Sequence, residues 1–341
     1  MRRVRPMSRR YGTAVAAALG AGTGTLSRMP SRAPRMLLLD SASLYFRAFF
    51  GVPEVIGPSG VPTNAVRGLL DMIASLVERG RPTHLVACWD NDWRPAFRVE
   101  AIPSYKAHRV AEPGPDELAG ETVPEALGVQ VPIIVDALTA LGIARVGVDG
   151  YEADDVIGTL ATAFSGRMPV DIVTGDRDLF QLVDDANQVR VVYTARGGVR
   201  SPDLVDEAFL AEKYGVATGP AYGDMAVLRG DTSDGLPGVA GIGEKTAAKL
   251  ITTYGTLEAV RAAIADGDPA IKGAQRARLE AASDYLDAAP RVVAVAKDAA
   301  VPDVDLAAPS AVADPALMSR LAVEHGLTSS FDRVISALGI D

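Results

Sequence analysis

Residues 144–178 read A-R-V-G-V-D-G-Y-E-A-D-D-V-I-G-T-L-A-T-A-F-S-G-R-M-P-V-D-I-V-T-G-D-R-D. Ala144–Val148 is a short apolar run, Ala153–Phe164 repeats apolar residues at helical spacing, and Val170–Thr174 is a second apolar run. Short apolar runs bounded by turn signals suit buried strands, and two strands joined through a helix run parallel. The same alternation extends outward. Met36–Asp40 and His84–Asp90 read as strands, and so does Val189–Tyr193 before a G-G turn. Asn64–Gly80 reads as a helix with Val66, Leu69, Leu70, Ile73, Leu76 and Val77 on one face, and Ile133–Leu141 as another ending at Gly142. The fold class is therefore α/β, a mainly parallel central sheet covered on both faces. No internal repeat interrupts it.

Carboxylates collect where the apolar runs end. Asp40 follows M-L-L-L, and Asp90 follows H-L-V-A-C-W. Glu152, Asp154 and Asp155 stand in Y-E-A-D-D-V-I-G, Asp176 and Asp178 in I-V-T-G-D-R-D-L, and Asp231 and Asp234 in R-G-D-T-S-D-G-L-P-G. In parallel sheets the functional site lies at the carboxyl ends of the strands, which would bring these acids together. Acids at a helix start suit its dipole, and that alone accounts for one or two of the E-A-D-D group. It does not account for D-R-D and D-T-S-D. Glu152 and Asp155, three apart, should share a helix face with Asp154 splayed to the side. An oxygen-only ligand set favours hard ions, magnesium (Mg2+) or manganese (Mn2+). Two such ions ~3.5–4 Å apart are a common device for phosphodiester cleavage, so the acids point to metal-dependent nuclease chemistry. The three histidines, His84, His108 and His325, have no ligand or triad spacing.

The chain has 341 residues, 48% hydrophobic, which describes a globular protein of one large domain or two smaller ones. One cysteine, Cys88, excludes an internal disulfide and fits a reducing cytoplasm; its place in an apolar run reads as core. Net charge is −9, yet the first 35 residues carry eight arginines and no acid, leaving 26 basic and 43 acidic groups in the body. Binding to phosphate depends on where basic groups lie, so the sum does not exclude nucleic acid. Residues 1–35 read as a disordered basic extension, or as a start placed ahead of Met29 or Met36. Their apolar patch, Thr13 to Leu19, is too short to span a bilayer, so no membrane partner is expected.

Two segments break the alternation. Asn91–Pro132 is long and lacks a strong period, as functional lids do. Within it Arg94, Arg98, Lys106 and Arg109 interleave with Trp93, Phe97 and Tyr105. Cations could meet phosphates there while aromatic faces stack on bases, or the stretch is a solvated loop with anchoring aromatics. From residue 202 onward the chain turns helical. G-V-A-G-I-G-E-K-T-A-A-K-L places glycines just before a helix, where backbone N–H groups can approach a phosphate, with Lys245 and Lys249 on one side. Alternatively it is an ordinary glycine-rich connection. Asp298–Asp314 reads as a surface linker, and a last amphipathic helix spans about Leu317–Leu338.

The strings L-L-L-D-S-A-S-L-Y-F-R-A-F-F, P-T-N-A-V-R-G, Y-K-A-H-R, G-Y-E-A-D-D-V-I-G-T-L-A, I-V-T-G-D-R-D-L-F-Q-L and G-D-T-S-D-G-L-P-G-V-A-G-I-G-E-K-T-A-A-K-L resemble the bacterial 5′-3′ exonuclease family. That family includes the 5′-nuclease domain of DNA polymerase I and is related to flap endonucleases. The resemblance runs from about Met36 to Ala294. It implies a PIN-like domain over 36–201 with a helical arch about 91–132, and a helical DNA-binding subdomain over 202–341 with a helix–three-turn–helix about 236–260. By motif position, Asp40, Asp90, Glu152, Asp154 and Asp155 would surround one metal. Asp176, Asp178, Asp231 and Asp234 would surround a second, several of them through water. Lys106 and Arg109 match arch residues that contact the scissile phosphate, and Arg47 and Tyr105 match neighbouring site residues. Gly241, Gly243, Lys245 and Lys249 match the element that grips the duplex, commonly through potassium (K+), and Arg94 and Arg98 are further candidate DNA contacts. Gly235 departs from the family, which usually has Asn there, and would loosen the support of the acids.

The activity implied is hydrolysis near 5′ ends of DNA and at 5′ flaps, including RNA primers on DNA, in replication and repair. It would be carried out by a freestanding cytoplasmic monomer working with a DNA polymerase. A non-catalytic binder of branched DNA, or a PIN-type ribonuclease, is the alternative. The former would tolerate loss of the acids; the latter would prefer free single-stranded RNA.

Overall fold

Every residue of β1 (Met36–Asp40) is buried, because Met36 and Leu38 project to one face of the sheet while Leu37 and Leu39 project to the other. The computed structural model describes residues 33–110 and 123–340. After β1 come α1 (Ser41–Gly51), α2 (Asn64–Gly80), β2 (His84–Cys88), α3 (Ala96–Ala101), α4 (Glu125–Gly128), α5 (Val131–Leu141), β3 (Ala144–Val146), α6 (Ala153–Phe164), β4 (Val170–Thr174), β5 (Val189–Tyr193) and β6 (Asp203–Val205). The strands form one sheet in the order β3-β2-β1-β4-β5-β6, parallel except for the last pair. The helical remainder is α7 (Glu207–Tyr214), α8 (Gly219–Arg229), α9 (Glu244–Tyr254), α10 (Leu257–Ala265), α11 (Gly273–Ala281), α12 (Ser283–Val293), α13 (Pro315–His325) and α14 (Thr328–Leu338).

Two apolar layers result. On one face Leu38, Val86 and Ile172 pack with Val156, Ile157 and Leu160 of α6, and the layer runs on into Tyr222, Met225 and Leu250 of the helical half. On the other, Leu37, Leu39 and Leu85 pack with Leu69, Leu70, Ile73 and Val77 of α2, Ile134 and Leu138 of α5, and Phe331 and Val334 of α14. The apolar face read for α2 is therefore its buried one.

The elements read from the sequence are present, with differences that have physical causes. β2 stops at Cys88 and β3 at Val146, and the Trp89 N–H to Val146 carbonyl bond is the last rung between them. α1 begins on Asp40, whose carboxylate accepts from the Ser43 amide, and β6 closes the sheet as a short antiparallel edge. A boundary at 201/202 would separate β6 from its sheet. The last amphipathic stretch is two helices, and both return to the sheet side, α13 on α5 and α14 on α2. The stretch before them passes the start of β2, where the Leu85 N–H donates to Leu306 and His84 bridges Ala307. Of the N-terminal extension, residues 1–32 lie outside the described residues. Arg35 belongs to the body, its guanidinium 2.7 Å from Asp171. In the expected arch, residues 111–122 lie outside the described residues, and 91–110 fold down onto the body.

Candidate active site

Three adjacent parallel strands set the frame. Asp40 ends β1 in register with Cys88 of β2, Asp90 lies two residues past that point, and Asp176 lies two residues past the end of β4. Asp40 is fixed from both sides: its Oδ1 accepts from the Ser43 amide at 3.1 Å and its Oδ2 from the Thr174 hydroxyl at 2.6 Å. Asp90 Oδ1 accepts from the Ala153 amide at 2.9 Å, tying the second strand to the start of α6. Six of the nine candidate acids, Asp40, Asp90, Glu152, Asp154, Asp176 and Asp231, line one cavity of about 410 Å³, together with Lys106 and Arg109.

Asp155 does not belong there, a correction to the ligand set implied by motif position. A reciprocal cap at the start of α6 turns it back: Glu152 accepts from its amide, and Asp155 accepts from the Glu152 amide. Arg98 then takes both carboxylate oxygens at 2.7 Å, and the Ala296 amide donates to one of them. Asp154, the residue expected to splay aside, is the one that faces the cavity with Glu152. Arg98 is likewise no DNA contact. It is 2% exposed, and beyond Asp155 it donates to the carbonyls of Val292 and Ala294. It therefore locks α3 and α12 to the acid-bearing helix.

Tyr105 and Lys106 stand behind Glu152. The Tyr105 hydroxyl, 2.9 and 3.0 Å from the two carboxylate oxygens, is buried and supports Glu152 from outside the cavity. Lys106 Nζ is 3.0 Å from Glu152 and lines the cavity. Its backbone is left-handed, φ 47°, a conformation that costs energy for a residue with a Cβ and must be held by its surroundings. The hold is the Lys106 amide donating to the Asp234 carbonyl at 2.9 Å and the Ser104 hydroxyl donating to the Gly235 carbonyl at 2.8 Å. Gly235 makes this docking possible. Its φ is 72°, and a Cβ there would collide with the Ser104 carbonyl. The glycine thus tightens the support of the second acid set where loosening was expected.

Asp178 and Asp234 lie behind the cavity wall. Asp234 is paired with Arg109 at 2.6 Å, and Asp178 is half-buried beside Asp176, Asp231 and Asp234. Asp231 is held by both the amide and the hydroxyl of Ser233. The electrostatics are those of acids short of positive charge. Burial pushes Asp40 up to about 7, with Asp90 and Asp176 adding to the rise against the Thr174 bond. Burial likewise lifts Glu152 to about 7 despite Lys106 and Arg98. Asp154 is raised well above its ordinary value by burial and by Asp40, Asp176 and Glu152, and Asp178 by burial and its three acidic neighbours. Asp231 is the exception: burial works against its charge, but the Ser233 bonds prevail and its pKa falls.

Clustered carboxylates with raised pKa values are what a cation site looks like before its cation is counted. The donor set fits a hard divalent ion: only carboxylate oxygens from several elements, with no histidine or cysteine among the lining residues. Among the described residues no three of these side chains close on one point as a finished coordination shell. Acids spread around a basin suit ions that keep part of their water, as magnesium does.

Other candidates sort by exposure. Gly241 and Gly243 are exposed at the turn before α9, and Lys245 and Lys249 are exposed on that helix. Gly241 is left-handed at φ 71°, and no side chain caps the first amides of α9. Arg94 is occupied otherwise, its Nε 2.6 Å from the Tyr105 carbonyl and an Nη 2.9 Å from that of Pro103, so it braces the 103–105 segment. Arg47 donates to the Ala195 carbonyl at 3.2 Å and is not among the cavity-lining residues. Residues not singled out from the sequence also line the cavity, among them Ser43, Phe46, Arg177 and Tyr193. Arg177 alone carried a signal, a base inside an acid pair at a strand end. No helix among the described residues is long and apolar enough to cross a membrane.

The sequence profile of the 5′-3′ exonuclease N-terminal resolvase-like domain matches residues 35–215, and that of the 5′-3′ exonuclease C-terminal SAM fold matches residues 218–312. A 5′-3′ exonuclease of Streptomyces coelicolor is 58% identical over 303 residues, covering 89% of this chain and 99% of that protein. A 5′-3′ exonuclease of Mycobacterium tuberculosis is 49% identical over 314 residues, covering 89% and 97%. The flap endonuclease of bacteriophage T5, solved with DNA and metal ions, superposes with a TM-score of 0.57 at 16% identity, covering 89% of this chain and 98% of that one. This last likeness is one of fold.

Proposed function

The chain belongs to the 5′-3′ exonuclease family, and from that membership we propose that it hydrolyses phosphodiester bonds near 5′ ends of DNA and at 5′ flaps, RNA primers on DNA included. The observation that carries the reading is the cavity itself: six carboxylates, three at or past the ends of neighbouring parallel strands, two at the start of α6 and one in the turn after α8, faced by Lys106 and Arg109. Asp40, Asp90, Glu152 and Asp154 would hold one divalent ion, and Asp176, Asp231 and, behind them, Asp178 and Asp234 a second, magnesium first and manganese as a substitute. Such ions supply Lewis acidity, lowering the pKa of water and neutralising charge on the leaving 3′-oxygen.

The chain's own residues do the rest. Lys106 and Arg109 reach the cavity from the same short segment, so a phosphate entering it meets both cations. Preorganised donors of this kind stabilise the extra negative charge of the transition state. Tyr105 holds Glu152 in place, and Arg98 fixes the helix that carries Glu152 and Asp154. The turn at Gly241–Gly243 with Lys245 and Lys249 would take the duplex backbone without reading its sequence, and the same turn would hold a potassium ion that supplies positive charge there. A nuclease half from 36 to about 205, carrying the arch, and a DNA-gripping half beyond it would divide these tasks. The protein would act in replication and repair as a cytoplasmic monomer following a DNA polymerase. Its one cysteine, Cys88, is free and buried.

Cleavage of a labelled 5′-flap duplex is the test. Magnesium should support cutting near the junction, chelator should stop it, and Asp176→Ala should fail under both conditions. Wild-type turnover by Asp176→Ala would sink the proposal.

A further inference from the structure

Besides its acids, Lys106 and Arg109, the cavity is lined by one more charged side chain among the described residues, Arg177. It stands between Asp176 and Asp178, yet its one ion pair is with Glu244, at 3.6 Å, and 41% of its side chain is exposed. Tyr193 flanks it, and Tyr214 shares a side-chain hydrogen bond with it. A guanidinium carries five donors, and one long pair with one tyrosine bond leaves part of that capacity unspent.

Glu244 is the first residue of α9, the helix that carries Lys245 and Lys249. Its Oε2 is shared with Arg229 at 3.4 Å. Arg229 is the firmer partner. It is 11% exposed, lies over the Tyr222 ring at 5.8 Å, and donates from Nε to the carbonyl of Gly230 at 3.1 Å. Gly230 precedes Asp231. One carboxylate at the start of the duplex-gripping helix therefore reaches both loops that carry the second acid set: D-R-D through Arg177 and G-D-T-S-D through Arg229. An acid in the first turn would repel a phosphate bound at the adjoining turn. Paired with two guanidiniums, it no longer does, and it holds the looser of them at the cavity's edge.

We infer that Arg177 is a further contact for the DNA backbone, taking a phosphate that lies between the acid cavity and the glycine turn, and that Glu244 is the positioning residue that holds it there. The inference rests on the reading of the chain as a DNA nuclease. It makes the arginine a binding group rather than a transition-state group, so its loss should appear in KM and in the salt dependence of binding, with kcat little changed.

The experiment compares wild type, Arg177→Ala, Arg177→Lys, Glu244→Gln and the double variant Arg177→Ala/Glu244→Gln. Dissociation constants for a fluorescent 5′-flap duplex are read in chelator between about 50 and 200 mM salt, with KM and kcat in magnesium and a melting curve for each protein. Removing one phosphate contact should lower the salt slope by about 0.9, and Arg177→Lys should restore it. Arg177→Ala should raise KM by about tenfold, the size of one charge-assisted contact, and Glu244→Gln by less. The double variant should be no worse than Arg177→Ala, because the carboxylate acts through the arginine. An unchanged slope and KM in Arg177→Ala overturn the contact, and effects that multiply in the double variant overturn the role of Glu244. Should Arg177→Ala melt early, Arg177→Lys with a reduced slope would equally overturn the contact. A wild-type protein that neither binds nor cuts the flap defeats the nuclease reading itself, a result distinct from these.

Discussion

The two acid sets are built differently. Asp40 and Asp90 lie at or just past the ends of neighbouring strands, and Glu152 and Asp154 open a helix that is capped reciprocally and locked by Arg98. Asp231 and Asp234 sit instead in a turn between α8 and α9, kept in place by Ser233, Arg109 and the docked 104–106 segment. The first set is a property of the sheet. Asp176 and Asp178 of the second set follow β4, but Asp231 and Asp234 depend on contacts between segments more than a hundred residues apart in sequence, and they move if any of those moves. A strand-end acid such as Asp40 is damaged chiefly by removing its oxygens; a clamped one such as Asp234 can also be damaged by removing its clamp.

The sharpest way to break this comparison lies within the first set, between neighbours. Asp154→Ala removes a cavity-facing oxygen donor and should cut kcat by at least ~10²–10³-fold while the melting temperature holds. Asp155→Ala should do the reverse. It leaves buried Arg98 with only the longer Glu152 pair at 3.5 Å, at a cost of about 3 kcal/mol of stability. Denaturant unfolding of the two variants beside their turnover decides the matter, and equal losses of activity in well-folded proteins would return Asp155 to the metal site.

A smaller effect separates the clamp from the frame. Gly235→Ala forces a Cβ into the left-handed region and against the Ser104 carbonyl, costing about 1–3 kcal/mol. Because the damage falls on the Lys106 and Asp234 side, kcat should drop further than the stability loss alone explains. A stable protein with normal kcat would show that the 104–106 docking is incidental.

The smallest effect is a pH dependence. Asp40 and Glu152 start from 3.8 and 4.5 and stand at about 7 in the folded chain. The folded state therefore binds more protons than the unfolded one between roughly pH 4 and 7, and the stability of chelated protein falls as pH rises through that window. Melting curves should drop by a few degrees from pH 5.5 to pH 8, and magnesium should restore more at pH 8 than at pH 5.5. A chelated protein more stable at pH 8 would mean the first set is already neutralised by its neighbours.

The frame was legible because it is periodic. Buried strands, the amphipathic α2 and acids following apolar runs leave local signatures, and Asn64–Gly80, Ala153–Phe164 and Val170–Thr174 were read to the residue. What escaped was settled by distant pairing. Asp154 and Asp155 look alike in sequence, and only Arg98, 57 residues upstream, decides which of them faces the cavity. Arg94, Arg98 and Tyr105 have the composition of a DNA-binding loop, and their partners, four carbonyls and two carboxylates, make them its foundations. Gly235 looked like a weakness because the segment that docks on it is 131 residues away.

The packing of α14 on α2 has a consequence for how the protein comes to exist. Phe331 and Val334 complete the apolar layer over β1 and β2, strands made some 250 residues earlier. While the ribosome is still translating, α2 and α5 cover that face without the helix that packs over α2, and the nascent chain must keep the uncovered apolar surface from other hydrophobic surfaces. The catalytic frame can reach its final stability only once Thr328–Leu338 has emerged, so a message cut short before that point yields a chain with every acid in its sequence and a core left open.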